Sequence, residues 1–276
     1  MTAADPGLHR QRAFRVEAIV LRHLDWGEAD RLIWLFTQEL GKLRAVGKGV
    51  RKPRSRKAGH LEPFTRVNLL LAHGRDLPII TQADTVDAYL PLRDDLLRTT
   101  YASYVVELLD RFTYEEGENR GLYNLLAETL ARLCQPLDAA PATALDLVVR
   151  YYELRMLDFM GFRPQLFQCA ACGKKIEPQD QYFSAHQGGV LCPGCGKKDN
   201  ESWPISLQAL KYLRHFQRSN FAEAQRAHLT PQQNSEMEAL MQHYMTYFLE
   251  RGLNTPPFLR RARRDAREGE PRSENE

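Results

Sequence analysis

Residues 169–173 read Cys-Ala-Ala-Cys-Gly and residues 192–196 read Cys-Pro-Gly-Cys-Gly, and these two stretches decide how the chain is organised. Nineteen residues separate the two cysteine pairs, which lets two tight turns bring four thiolates to one tetrahedral ion. A glycine after each pair permits the positive φ of the turn that follows a metal-binding thiolate. The spacing therefore predicts one Zn²⁺ bound by Cys169, Cys172, Cys192 and Cys195.

The predicted zinc site is structural, because four thiolates leave no open position for water or substrate. His186 lies in the same segment and is the alternative fourth ligand, whereas Cys134 reads as an inert buried residue on a helix. Disulfides are the competing interpretation of the pairs. Charged residues from His9 to Arg15 interrupt any apolar signal segment, so a reducing cytoplasm is expected and disulfides are disfavoured.

The net charge of +3 over 276 residues conceals a strong asymmetry. Residues 1–90 carry 15 Lys and Arg against 10 Asp and Glu, whereas residues 91–160 carry 7 against 12. No window approaches eighteen apolar residues, so no transmembrane helix is expected. A basic N-terminal module beside an acidic one indicates two different kinds of partner.

The N-terminal module reads as β structure. Short apolar and β-branched runs at 14–21, 32–37, 42–46, 67–71 and 79–83 predict five strands, with a hairpin connection ending at Gly41. Five short strands in about 80 residues are typical of a small closed barrel. We assign residues 1–88 to this domain.

The period then changes to that of helices. The pattern predicts a long helix opened by Pro91, further helices over Leu122–Leu133 and Ala144–Met160, a helix capped by Ser206, and one opened by Thr230-Pro231. A helical domain is therefore assigned to residues 89–252, with the zinc segment inserted at 162–204. The Arg- and Glu-rich stretch 253–276, with its cluster of arginines from Arg260 to Arg264, is predicted to be a disordered tail.

A basic run is the second feature that carries function. No acidic residue occurs between Glu39 and Glu62. The interval holds eight cations that indicate contact with a phosphodiester backbone, the alternative being a solvated loop. They are Lys42, Arg44, Lys48, Arg51, Lys52, Arg54, Arg56 and Lys57.

Other features near this run are less decisive. Five residues separate Gly41 from Gly47, and Gly49 stands where a phosphate-binding loop needs Ser or Thr, so nucleotide hydrolysis is not expected. Trp26, Trp34 and Phe36 are candidates for stacking a base, but core packing is the favoured interpretation for the last two. The sequence has no recognisable catalytic constellation, so the chain is not expected to be an enzyme.

The order of a barrel, a helical bundle and a four-cysteine insertion resembles the recombination mediator family RecO, over about residues 14–252. The local stretches that carry this likeness are Ala18–Leu21, Gly27–Leu32, Thr37–Lys42, Gly47–Arg51, Leu61–Phe64, Leu154–Leu157 and Gly161–Pro164. The resemblance implies an α+β multidomain protein whose N-terminal barrel is an OB-fold, with a helical bundle and zinc-finger insertion behind it.

The resemblance also implies function. Members of such a family bind single- and double-stranded DNA, anneal complementary strands, act with RecR, and help RecA load onto DNA coated by single-strand-binding protein. The expected setting is the cytoplasm, at the nucleoid. The expected site for the acidic tail of single-strand-binding protein is the helix with Lys211, Arg214 and Arg218 beside Leu210, Leu213 and Phe216, although a solvated amphipathic helix explains the same spacing.

Two other classes of protein remain compatible with the residues alone. One is a zinc-ribbon RNA-binding or transcription factor, which would prefer structured RNA to single-stranded DNA. The other is an enzyme such as a nuclease with an unrecognised metal site, which would cleave DNA in the presence of Mg²⁺.

Overall fold

Alternating apolar residues form five strands at the start of the computed structural model, which describes residues 13–114, 117–136, 141–250 and 252–268. The strands are β1 (Ala13–Trp26), β2 (Asp30–Thr37), β3 (Gly41–Gly47), β4 (Arg66–Ala72) and β5 (Ile79–Asp87). They form a closed barrel in the order β1-β2-β3-β5-β4, in which β4 returns to pair with β1. The predicted barrel is therefore confirmed, and its five strands in this order form an OB-fold.

Side chains fill the interior of the barrel. Inward-facing residues such as Ile33, Leu35 and Val67 are fully buried in one apolar cluster. Their neighbours Leu32, Trp34 and Phe36 on β2 lie on the outer face, because successive residues of a strand point to opposite sides. The outer face of β2 is thus apolar as well, which bears on ligand binding.

The barrel belongs to a compact unit that is built from two separate stretches of the chain, one up to Tyr89 and one over Tyr114–Tyr123. Tyr123 donates a hydrogen bond of 2.9 Å to Glu17 and stacks on the ring of Phe36, with centroids 6.5 Å apart. A Cβ atom at Gly41, which has φ of +65°, would lie 2.1 Å from the carbonyl oxygen of Gly117. The second stretch therefore packs closely against the barrel.

The other unit contains Leu90–Thr113 and the chain from Asn124 onwards. Pro91 opens a helix of only four residues, and Asp95 then caps a longer helix by accepting a 3.1 Å hydrogen bond from Arg98. The predicted single helix is therefore two. The helices are α1 (Pro91–Asp94), α2 (Leu96–Phe112), α3 (Arg120–Leu133), α4 (Pro141–Phe159), α5 (Pro193–Gly196), α6 (Leu207–Arg218), α7 (Phe221–Ala224), α8 (Pro231–Leu249) and α9 (Thr255–Glu268).

The cysteine segment lies between α4 and α6, where the sequence predicted an insertion. It contains a small antiparallel sheet in the order β7-β6-β8. Its strands are β6 (Gln181–Ser184), β7 (Gly189–Leu191) and β8 (Trp203–Ile205). Ser206 then caps α6, accepting a 3.1 Å hydrogen bond from the backbone of Ala209, as its position before an apolar run predicted.

The C-terminal stretch corrects one prediction. Residues 255–268 form α9 rather than a disordered tail, and residues 269–276 lie outside the described part of the chain. Glu107 on α2 accepts hydrogen bonds from the backbone of Asn254 and Thr255, at 2.7 and 2.8 Å, and so caps the helix. The side chain of Leu259 is fully buried, so apolar packing also holds α9 in place.

A buried network of charges anchors the other end of α9. Arg263 forms ion pairs with Asp146 of α4 and Glu238 of α8, and donates a 2.7 Å hydrogen bond to the hydroxyl of Tyr101. Burial raises the pKa of Asp146, whereas the pKa of Glu238 is lowered because nearby guanidinium groups outweigh its burial. An arginine on the inward face of α9 thus makes this helix part of the folded unit.

A second buried ion pair lies in the same unit. Arg150 and Glu153 on α4 are fully buried, 2.8 Å apart, and Tyr104 donates a 2.6 Å hydrogen bond to Glu153. Burial raises the pKa of Glu153 to about 7.

Among the described residues, no helix combines the length and the apolar character that crossing a membrane requires.

Candidate nucleic-acid interface and metal centre

The segment between β3 and β4 that carries the basic run is fastened to the β1–β2 turn. The Arg51 side chain donates hydrogen bonds to the carbonyl oxygens of Gly27 and Glu28, at 3.1 and 3.3 Å, and pairs with Asp25 at 3.2 Å. The backbone N–H of Gly49 donates to the carboxylate of Asp30 at 2.7 Å. The cations therefore lie on an ordered surface, so little ordering of the loop is needed when a ligand binds.

The eight predicted cations separate into two groups. Lys42 and Arg44 are half-buried on β3, and Lys57 is half-buried and donates a 2.8 Å hydrogen bond to the carbonyl oxygen of Ile80. Burial also lowers the pKa of Lys57. The remaining five are exposed, which leaves their charge accessible to a polyanion: Lys48, Arg51, Lys52, Arg54 and Arg56.

The sequence pattern did not identify the acids that hold this surface together. Asp25 and Asp30 lie in the β1–β2 hairpin, some 20 residues before their partners, which are the guanidinium of Arg51 for Asp25 and the backbone N–H of Gly49 for Asp30. The available signal was compositional, since a run of eight cations without an acid needs acids supplied from elsewhere. In the fold the neighbouring hairpin supplies two acids, Asp25 and Asp30, and the five exposed side chains keep their positive charge at the surface.

The three candidate aromatic side chains have different environments. Phe36 is buried and stacked on Tyr123, and Trp34 is half-buried with the guanidinium of Arg22 over its ring at 3.6 Å from the centroid. Trp26, by contrast, is 53% exposed at the end of β1. The core-packing interpretation is thus right for Phe36, and Trp26 is the aromatic that remains open to a ligand.

The four predicted cysteines converge. The sulfur atoms of Cys169, Cys172, Cys192 and Cys195 all lie within 4.8 Å of one another, and those of Cys172 and Cys192 are 3.9 Å apart. Four sulfurs placed tetrahedrally at about 2.3 Å from one ion would be about 3.8 Å apart, so the observed spacing fits a four-coordinate metal. His186 is not a member of this cluster.

Backbone geometry explains the convergence. Gly173 follows the first pair with φ of +73°, and its N–H donates to the carbonyl oxygen of Cys169 at 2.8 Å. In the second pair, Cys192 precedes α5, and the N–H of Gly196 donates to its carbonyl oxygen at 2.8 Å. A Cβ atom at Gly196 would lie 2.2 Å from the ring of Tyr182, so this glycine also permits close packing.

The thiols of the cluster differ in acidity: hydrogen bonds from Cys192 and Cys172 raise the pKa of Cys195 to about 12, whereas Cys169 is more acidic than a free cysteine. Burial raises its pKa, but hydrogen bonds from the backbone of Cys192, Cys172 and Ala171 outweigh that effect and lower the pKa of Cys169 to about 6. Thiolates, not thiols, bind metal ions. The arrangement can hold one metal ion with the whole coordination sphere supplied by protein, which is the pattern of a structural site.

The residues predicted to bind a partner lie on α6. Arg214 donates a 2.7 Å hydrogen bond to the carbonyl oxygen of Leu166, and both Arg214 and Arg218 lie over the ring of Phe167. Only Lys211 is exposed without such a role in the packing. The sequence also placed three apolar residues beside these cations as part of the binding site: Leu210, Leu213 and Phe216. Their side chains are instead buried in the core, which corrects that part of the prediction.

A different groove borders the same helix. It has a volume of about 730 Å³ and is lined by residues of α6, α7 and the loop that follows α7. Lys211 and Arg226 give it two cations, Glu223 adds one carboxylate, and Tyr212 contributes an aromatic surface. The groove thus combines two cations, one carboxylate and an aromatic ring beside α6.

Comparison with known proteins agrees with this architecture. The model "Recombination protein O N terminal" matches residues 12–89, and the model "Recombination protein O C terminal" matches residues 93–257. The barrel and the helical unit that bears the thiolate cluster therefore define a recombination protein, with one matching model for each.

Named relatives identify the family. A DNA repair protein RecO from Roseiflexus sp. (strain RS-1) is 41% identical over 264 residues, which cover 96% of this chain and 91% of the relative. RecO proteins of Dehalococcoides mccartyi (strain 195) and Moorella thermoacetica are each 33% identical, over 86% and 92% of this chain and 91% of each relative. The chain belongs to the RecO family, and its role is in DNA repair and recombination.

Proposed function

We propose that this chain is a recombination mediator that binds single- and double-stranded DNA and anneals complementary strands. With RecR, it helps RecA load onto single strands coated by single-strand-binding protein, at the nucleoid in the cytoplasm. The observation that carries the proposal is the basic surface of the barrel, where five cations are exposed on a segment that Arg51 and the Gly49 backbone fasten to the β1–β2 turn.

Such a surface suits a phosphodiester backbone. Each cation that neutralises a phosphate releases condensed counterions, so binding is favoured without regard to base sequence. Contacts of this kind position a nucleic acid but carry little sequence information, as a protein that acts on any broken chromosome requires.

The experiment is a DNA titration across salt concentrations with two matched variants. The first replaces Lys48, Lys52, Arg54 and Arg56 with alanine and leaves Arg51, because Arg51 holds the loop in place. The control replaces four exposed lysines of the cysteine segment, which gives the same change in net charge: Lys174, Lys175, Lys197 and Lys198.

We expect the loop variant to bind every DNA sequence more weakly. Its plot of log affinity against log salt should be flatter by up to about 3 for single strands, at about 0.7 for each phosphate that is no longer neutralised. The control should keep the wild-type slope. Equal slopes for the loop variant and the wild-type protein would show that the basic surface does not bind DNA.

The metal proposed for the thiolate cluster is Zn²⁺, one per chain, in a structural role. The four-sulfur donor set and the tetrahedral spacing support zinc over the hard cations, which prefer oxygen ligands. Elemental analysis of protein purified without added metal should give one zinc per chain, and absence of zinc would contradict the assignment. When zinc is bound, it cross-links the two cysteine turns.

The mediator role requires no bond cleavage, so we propose that the chain is not an enzyme. Incubation of labelled single-stranded and duplex DNA with the protein and Mg²⁺ should leave both substrates intact. Cleavage that copurifies with the protein and disappears in the loop variant would instead identify a nuclease.

The groove beside α6 is proposed to bind the tail of single-strand-binding protein, which is acidic and ends in an apolar residue. Lys211 is the better residue to test, because Arg214 is engaged with Leu166 and Phe167. Lys211→Glu should abolish binding of a fluorescent tail peptide, measured by anisotropy, and leave the affinity for DNA within about twofold, since remote charges are screened. Lys198→Glu is the matched control, and wild-type binding by Lys211→Glu would eliminate this groove.

A further inference from the structure

Three strands of the barrel share an outer face that carries aromatic and cationic side chains in register. Trp34 on β2 lies opposite Arg22 on β1 and Arg44 on β3. The next two pairs on the same face are Leu24 with Leu32 and, at the turn, Trp26 with Asp30. The face therefore continues as far as the hairpin end, where the basic surface is attached.

Exposure changes sharply along this face. Phe36 and Leu32 are buried, and Trp34 is half-buried under the Arg22 guanidinium. Leu24 and Trp26, at the hairpin end, are 56% and 53% exposed. Burying an indole ring is strongly favourable, because it removes a large apolar surface from water. An indole that is left half exposed at a fixed position is therefore available to a ligand.

The position of Trp26 relative to the cations is fixed by hydrogen bonds. Gly27, which follows it directly, accepts a hydrogen bond from the Arg51 side chain, and Ala29 accepts one of 2.9 Å from the Arg51 backbone. The neighbouring Asp25 pairs with the same guanidinium. The exposed indole therefore lies directly beside the turn to which Arg51 fastens the basic segment.

We infer that Trp26 is a stacking site for an unpaired nucleobase, with the basic surface holding the adjoining phosphates. This inference rests on the proposed DNA binding and adds a contact that only an unpaired strand can make. A base in a single strand offers its π face to an aromatic ring, whatever its identity. Bases inside a duplex are stacked on their neighbours and cannot reach the indole, so duplex DNA gains only the phosphate contacts.

The test compares affinities for three probes: a 20-nucleotide single strand of mixed sequence, the same strand made of abasic residues, and the 20-base-pair duplex. Trp26→Leu should weaken binding of the single strand about tenfold, within the range that loss of one stacked base produces. Its affinity for the duplex and for the abasic strand should stay within about twofold of wild type. Trp26→Phe should keep most of the affinity, because a phenyl ring still stacks.

The matched control is Trp203→Leu, which removes an exposed indole of the cysteine segment that stacks on His243 of α8. It should leave all three affinities unchanged. The salt dependence of Trp26→Leu should equal that of the wild type, since no charge is removed. Thermal melting followed by circular dichroism verifies that each variant is folded.

The possible outcomes separate this inference from the proposal on which it rests. If the wild-type protein binds DNA with a slope that depends on the loop cations, but Trp26→Leu binds the single strand normally, only the stacking site is refuted. Equal weakening on single strand, abasic strand and duplex also refutes it, because the loss then has no connection with a base. If the wild-type protein binds none of the probes, the proposed function itself fails.

Discussion

Replacement of Arg263 by methionine tests whether the buried charges of the helical unit hold α9 in place. Methionine keeps an unbranched stem of comparable length and removes the guanidinium. The Arg263 side chain is 10% exposed, and its partners Asp146 and Glu238 are 4% and 10% exposed. The substitution therefore removes the cation that pairs directly with two buried carboxylates, leaves Arg150 as the nearby buried cation, and removes the hydrogen bond to Tyr101.

The magnitude follows from this burial. Removal of one partner of a buried ion pair costs about 3–5 kcal/mol, because the remaining charge is left uncompensated in a medium of low dielectric. Arg261→Met is the matched control: its side chain is 75% exposed and lies 3.9 Å from Asp265. Loss of such a surface pair changes the free energy of unfolding by at most about 1 kcal/mol.

The effect should depend on pH, with a sign set by the pKa shifts. Because the native pKa of Glu238 is lowered, its contribution to stability is present above the ordinary glutamate pKa and is lost as the pH falls through the native value. In Arg263→Met that contribution is smaller. The difference in stability between the variant and the wild type should therefore be largest near pH 7 and should narrow in acid, as the carboxylates become protonated.

Urea unfolding followed by circular dichroism measures the difference at each pH. The double variant Arg263→Met with Glu238→Gln should recover part of the loss at pH 7, because it removes one of the two uncompensated charges. A shift of the urea midpoint for Arg263→Met no larger than that for Arg261→Met would refute the reasoning. It would mean that water reaches the carboxylates and that apolar packing and the Glu107 cap hold α9 in place.

Three further outcomes are expected. Cys172→Ala should lower the zinc content measured by elemental analysis and lower the melting temperature, because three remaining thiolates form an incomplete site. Gly41→Ala should lower the free energy of unfolding by more than about 1 kcal/mol, since its φ is positive and its Cβ would overlap the Gly117 carbonyl, whereas Gly59→Ala, with open space around it, should change it little. Glu107→Gln should lower the free energy of unfolding, measured in urea, by about 0.5–2 kcal/mol, because the substitution removes the charged cap of α9.

Local patterns predicted the features that depend on neighbouring residues. The continuous apolar run of β2 and the glycine at position 41 are sufficient to indicate a hairpin, and the cysteine spacing indicates the metal cluster. The caps at Ser206 and Thr230 are local too, and both are confirmed, since each side chain accepts a hydrogen bond from the backbone three residues later. Such signals survive in the fold because their partners lie within one turn of chain.

The features that the sequence did not reveal depend on distant partners. The inward arginine of α9 is stabilised by Asp146, which is more than a hundred residues away, so its composition suggested a solvated tail. On α6, amphipathic spacing indicated which side chains share a face, but not that the apolar ones pack inward and that Arg214 is bound to Leu166. The anchoring of the basic loop by Asp25 and Asp30 has the same non-local origin.

Because the barrel unit is built from two separate stretches of the chain, its parts are synthesised on the ribosome at different times. The five strands are complete at Asp87, but Tyr123, which stacks on Phe36 and bonds to Glu17, is translated later. At about 5–20 residues per second, the 34 residues from 90 to 123 take about 2–7 s to appear. During that interval the nascent barrel lacks its last packing partner, and α2 leaves the ribosome before the barrel unit can be completed.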